Sequence, residues 1–251
     1  MSSGVAILAA FCGGLLPALL WLWFFLREDA EHPEPKWLIV AAFLSGMVAV
    51  LVALPTEMLI KCYAVGAWPP EPWSTPFATL SYCSHIRDAN PILLWAAAEE
   101  LIKYFLAATV ILWRQAVDEP IDAMVYLLSV ALGFAALETG LFLMEPLGRG
   151  DITGGFITGD LRFIGAALIH VLSSTVIGFS IALTYYRSYL LQLLSLCTGL
   201  IIAIVLHALF THNIMVNDGA HMGFVFLSVW VGIIVVLLLF ELAKHITRAQ
   251  S

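Results

Sequence analysis

Six residues in apolar surroundings carry the groups that proton transfer or metal binding requires. Glu99 and Glu100 stand side by side, Lys103 follows one helical turn later, and Glu138, His170 and His207 come singly afterwards. A carboxylate can take a proton from water, an imidazole can donate a proton or ligate a metal, and an ammonium can offset the burial of an acid. Lys103 is three residues from Glu100 and four from Glu99, so on a helix it reaches either one. Adjacent carboxylates point about 100° apart around a helix, so one of the pair faces a site centre and the other supports it. Glu100 is expected in the chemical role and Glu99 in the supporting one.

The elements that hold these residues are helices in lipid. The chain is 61% hydrophobic and 12% charged, far from the roughly 45–50% apolar and 25% charged composition of a soluble domain. About seven stretches approach the length of about 20 apolar residues needed to span a bilayer. They run from Val5 to Leu26, Trp37 to Met58, Pro91 to Trp113, Ile121 to Met144, Leu161 to Tyr186, Leu190 to Asn213 and Met222 to Lys244. The expected architecture is an all-α polytopic bundle, a single membrane domain over residues 1–251 with its motif-bearing core over about 91–213. The first stretch has no Lys or Arg before it and exceeds a usual signal-peptide core, so it reads as a retained helix. Pro17 and Pro55 are candidate helix breaks.

Depth ties the polar residues together. With a rise of about 1.5 Å per residue, Glu99 and Glu100 lie about 12–14 Å from the start of their helix and His170 about 14 Å from the start of its own. Glu138 and His207 each lie about 9 Å from the end of theirs. Successive spans alternate in direction, so all of these depths are measured from one membrane face and the groups share a layer. A charged group in mid-membrane costs roughly 2.5 kcal/mol or more, which makes a shared functional role more economical than separate structural ones.

The remaining polar features read as structural. Asp118, Glu119 and Asp122 suit a helix start, Arg162 suits an interfacial position, and His212, His221 and His245 fall at wet helix ends. Cys12 and Cys197 read as inert core residues, whereas Cys62 and Cys83 share a long loop and can pair where it faces an oxidising compartment. Five glycines between Gly148 and Gly159 suggest a mobile connection able to control substrate access. The net charge of −7 leaves no basic patch for nucleic acid. Zinc, serine-hydrolase and phosphate-loop signatures of the H-E-x-x-H, G-x-S-x-G and P-loop types are absent. Lys and Arg divide six against four between the two sides; with the disulfide argument, this favours an N-terminus outside and a C-terminus inside.

The segment Glu99-Glu100-Leu101-Ile102-Lys103 resembles the E-E-x-x-K motif of PrsW-type intramembrane proteases, relatives of the CAAX-protease and bacteriocin-processing superfamily. Glu119-Pro120-Ile121-Asp122 and the run from Gly133 to Glu138 are similar to that family's next helix, and His170 and His207 to its histidine motifs. Pro33-Glu34-Pro35 in the first loop also resembles a segment of that family. Thr211 stands where related proteins often carry Asn or Asp. The resemblance implies an integral protein of the bacterial cytoplasmic membrane that cuts membrane-anchored substrates such as anti-sigma-factor-like regulators. It implies Glu99, Glu100, Glu138, His170 and His207 as catalytic residues, with Lys103 supporting. Two mechanisms stay open at this level: water activated by a glutamate, or by a divalent metal such as zinc held by Glu138, His170 and His207 with one of the paired glutamates. The alternative function is a proton-coupled transporter using the same Glu and His residues.

Overall fold

A computed structural model of the protein describes residues 3–27, 33–66, 83, 91–215 and 222–246. Those residues form helices and short turns. We number the helices α1 (Ser3–Phe25), α2 (Lys36–Ala64), α3 (Ile92–Ala107), α4 (Asp122–Gly148), α5 (Ile152–Leu161), α6 (Ala167–Leu183), α7 (Tyr189–Met215) and α8 (Met222–Lys244). Among the described residues, α1, α2, α4, α7 and α8 are long and apolar enough to cross a membrane, and α6 is a shorter apolar helix. α3 continues for five more residues as a looser π-helical turn, Ala108–Leu112. Pro17 and Pro55 lie inside continuous helices and break neither.

α4 is the centre of the bundle. From Asp122 to Gly140 every residue is buried except Glu138, which is half-buried. Its apolar residues run without helical periodicity, as expected of a helix surrounded by other helices. Small residues let the neighbours come close. A Cβ on Gly46 of α2 would overlap the carbonyl of Val130, and one on Gly133 of α4 would overlap that of Phe43, so α2 and α4 cross with their backbones in contact. On another side of α4, Gly178 of α6 leaves room for a Cβ only 2.6 Å from the Cα of Met124. α1 and α8, by contrast, turn exposed faces such as Leu8, Leu16 and Trp23, or Phe224, Leu227 and Leu238, away from the bundle.

Several expectations are corrected. The glycine-rich stretch is no loop: only Arg149 to Asp151 separates α4 from α5, and α5, the π-helical turn Arg162–Ala166 and α6 form one continuous helix. Asp151 caps α5 by accepting a hydrogen bond from the Gly154 N–H at 2.8 Å, and Gly150 takes the left-handed conformation, φ +79°, that turns the chain. With its orphan amides satisfied at the cap, a glycine-bearing segment keeps a helix in apolar surroundings, where no water competes for the backbone. Cys12 and Cys197 are exposed on helix faces rather than in the core. Asp122 does not cap α4; its Oδ2 accepts the N–H groups of Asp118 and Glu119, at 2.8 and 2.7 Å, and so braces the preceding turn.

Cys62 and Cys83 are joined by a disulfide, with Cα atoms 5.3 Å apart. The rest of the proline- and tryptophan-rich connection, residues 67–82 and 84–90, lies outside the described residues, as do His221, Arg87 and Arg248.

Candidate active site

The structure brings Glu99, Glu100, Glu138, His170 and His207 to one point, with Lys103 among them. Glu99, Glu100 and Lys103 come from α3, Glu138 from α4, His170 from α6 and His207 from α7. All but Glu138 are buried.

Two ion pairs organise the cluster. Lys103 Nζ lies 2.6 Å from Glu100 Oε1, and the Arg162 guanidinium binds Glu138 Oε2. Between these pairs lies His170, whose Nδ1 is 3.1 Å from Lys103 Nζ and whose Nε2 is 3.0 Å from Glu138 Oε2. An ammonium only donates and a carboxylate only accepts, so these partners assign the ring proton to Nε2 and the lone pair to Nδ1. His207 is fixed in the opposite tautomer, because its Nδ1 lies 2.7 Å from Glu100 Oε1 and donates to it. The same oxygen accepts Ser173 Oγ–H at 2.9 Å. The His207 lone pair therefore sits on Nε2.

Each of Glu100 and Glu138 thus has its own cation, and Glu99 is left over. Its Oε2 is buried with no hydrogen-bond partner, 3.8 Å from His207 Nε2 and 3.9 Å from His170 Nδ1. Glu100 Oε2 is also without a partner, but Glu100 is fully enclosed, whereas Glu99, His170, His207 and Glu138 line a cavity of about 430 Å³. The remaining walls are mainly apolar, among them Val50, Trp95, Phe134, Phe142 and Phe210. A buried acceptor facing a cavity between two imidazole lone pairs is a ready position for a water, a proton or a cation.

The donor set also fits a divalent metal. One ligand atom from each of Glu99, His170 and His207 lies within 4.8 Å of the others, and a carboxylate with two imidazoles is a common catalytic zinc set. The carboxylates behind the rings, Glu100 on His207 and Glu138 on His170, match the outer partners that orient metal-binding histidines. Lys103 competes for the His170 lone pair and has to release it for ligation.

Two cavity residues were missed in the sequence. Arg162, read there as interfacial, is only 15% exposed and is paired with Glu138. Glu57 lies on α2, which runs to Ala64 rather than ending near Met58, and lines the same cavity as Glu99. Its signal was legible: Val50, Ala53, Leu54 and Glu57 all line the cavity, and their i, i+3, i+4, i+7 spacing defines one helix face.

A helical membrane bundle with buried carboxylates and histidines around a cavity defines a class, the intramembrane proteins with a catalytic or ion-handling centre. Residues 34–240 match the family described as "PrsW family intramembrane metalloprotease". The chain belongs to the PrsW family of intramembrane proteases. It is similar to the Protease PrsW of Geobacillus kaustophilus, 25% identical over 86% of this chain and 85% of that one. The Protease PrsW of Oceanobacillus iheyensis is 28% identical over 69% and 68%, and that of Bacillus subtilis 23% identical over 79% of both chains. No solved structure matches. The matched relatives are proteases, and the transporter alternative is left without support.

Proposed function

We propose that the protein hydrolyses peptide bonds of membrane-anchored substrates with Glu99 as the reacting carboxylate. This reverses the roles expected within the pair. What supports the reversal is the unpartnered Oε2 of Glu99 beside the cavity, against the three hydrogen bonds that engage Glu100 Oε1. Glu99 takes the proton of the attacking water or ligates a metal, and the description of the family as metalloproteases, together with the closeness of Glu99, His170 and His207, supports a metal at those three residues. A bound divalent ion supplies Lewis-acid polarisation and a more acidic water.

The chain's own groups do the rest. Glu100 keeps the His207 lone pair on Nε2 and Lys103 keeps that of His170 on Nδ1; these nitrogens lie 3.8 and 3.9 Å from Glu99 Oε2, the second shared with Lys103. The apolar walls exclude bulk water and strengthen every charge interaction inside. Kinship with the CAAX-protease superfamily, seven spans counting α3 and the α5–α6 helix, and placement in a bacterial cytoplasmic membrane with the N-terminus outside are parts of the same reading. The Cys62–Cys83 disulfide supports that orientation, since such bonds persist outside the cytoplasm. The substrate class is single-span proteins of the anti-sigma-factor kind.

The test is cleavage of a single-span substrate by purified enzyme in micelles, with and without chelator, for wild type and Glu99→Gln. Loss of activity in the variant, with folding retained, is the expected outcome. Full activity of Glu99→Gln excludes the assignment.

A further inference from the structure

Arg162 belongs to none of the motifs that carried the resemblance, yet it is built into the wall of the site. Its guanidinium binds Glu138 Oε2, its Nε donates to Thr139 Oγ1 at 3.2 Å, and its Cζ stands 4.1 Å from the centre of the Phe142 ring. These partners occupy positions i, i+1 and i+4 of α4, so Arg162 lies flat along one strip of that helix. It is also the first residue of the π-helical turn, an irregularity that frequently marks functional positions.

The oxygen that Arg162 holds is the one His170 uses. Glu138 Oε2 receives Arg162 from one side and His170 Nε2–H from the other. Arg162 and His170 are eight residues apart on one continuous helix, so the pair pins that helix to α4 at a single carboxylate oxygen. Without the cation, Glu138 would be an unpaired charge beside an apolar cavity and would turn away from His170. His170 would then lose one of the two partners that keep its proton on Nε2, with only Lys103 left to hold the lone pair on Nδ1. The Nδ1 lone pair would no longer be guaranteed to face Glu99.

We propose that Arg162 is a positioning residue for hydrolysis, acting through Glu138 to fix the tautomer and aim of His170. The inference rests on the reading of Glu99 and the two histidines as the reacting centre. Lysine is a poor substitute, because a single ammonium cannot hold Glu138 and Thr139 together while stacking on Phe142.

The experiment combines kinetics with histidine NMR on metal-free protein in micelles. In ¹⁵N-histidine spectra, the His170 resonance is identified by its loss in His170→Gln, and wild type should show the Nε2–H tautomer. Arg162→Gln should move it towards a mixture of tautomers, as should Glu138→Gln. In the cleavage assay, Arg162→Gln should lower kcat about 10–100-fold, the range for outer-shell partners, with KM within about twofold. Arg162→Lys should recover part of that loss, and it serves for the spectra if the Gln variant does not fold. Adding Arg162→Gln to Glu138→Gln should bring less than about twofold further loss, because both changes break one linkage. An unchanged His170 tautomer, or losses that multiply in the double variant, overturns the proposal; a rise in KM alone would instead make Arg162 a substrate contact. The failure of the Glu99 assignment is separately visible, since it would leave Glu99→Gln active while the His170 spectrum still responds to Arg162.

Discussion

The bundle has an acidic cluster at each end, and the two behave oppositely. Near the start of α4, Tyr126 donates to Glu34, Asp122 accepts two backbone N–H groups, and Tyr185 donates to the Val117 carbonyl at 2.8 Å. Further along the same helix, Glu138 joins a cluster in which Glu99 Oε2 has no partner and faces a cavity. Both ends carry sequence motifs of the family resemblance, Pro33-Glu34-Pro35 and Glu119-Pro120-Ile121-Asp122 at one and the glutamates and histidines at the other. The difference is saturation. Acids that use up their bonding capacity on the chain hold a turn in place, whereas an acid left with a buried free oxygen beside space is available to react.

The largest expected effect tests that contrast directly. Glu99→Gln should lower kcat/KM by at least about 10³-fold, because the amide accepts no proton, while Asp122→Asn should stay within about twofold of wild type in the same assay. A crippled but folded Asp122→Asn enzyme would show that the saturated end is not merely structural. Next comes Glu100→Gln, which weakens the hold on the His207 Nδ1 proton. Zinc affinity measured by competition with a chromophoric chelator should fall about 10–100-fold; unchanged affinity would break the link between Glu100 and the ligand set. Ser173→Ala removes one of three donors to Glu100 Oε1, so kcat should fall about threefold, in line with a single hydrogen bond of about 0.5–1.5 kcal/mol. Smallest in activity is Tyr126→Phe at the other end. Thermal unfolding in micelles should register a loss of about 1–2 kcal/mol, with cleavage rates within about twofold.

The convergence of Glu99, Glu100, Glu138, His170 and His207 was legible because antiparallel spans share a depth scale, and depth needs only residue counting. The choice between Glu99 and Glu100 was not. It depends on the rotation of α3 about its axis, which is fixed by where Lys103, Ser173 and His207 bind Glu100. Arg162 is hidden for a related reason: it falls at the start of the apolar run that begins at Leu161, whereas the helix itself starts at Ile152, ten residues before Arg162. Apolar content marked the core of each span well but its ends poorly, since glycines near Asp151 and the polar end of α2 remain helical when capped or packed.

The near-complete enclosure of α4 bears on how the protein meets bilayers of different thickness. Lipid chains press on α1, α7 and α8, whose exposed apolar faces must match the hydrocarbon layer by tilting. α4 touches almost no lipid between Asp122 and Gly140, and its backbone contact with α2 resists sliding. The clustered Glu and His groups are therefore expected to keep their spacing when acyl chains lengthen or shorten, while a single-span substrate of the kind proposed, surrounded by lipid, would move up or down. On the proposed reading, membrane thickness would act as a ruler on the substrate, setting which of its peptide bonds comes level with Glu99 and leaving the spacing of the cluster unchanged.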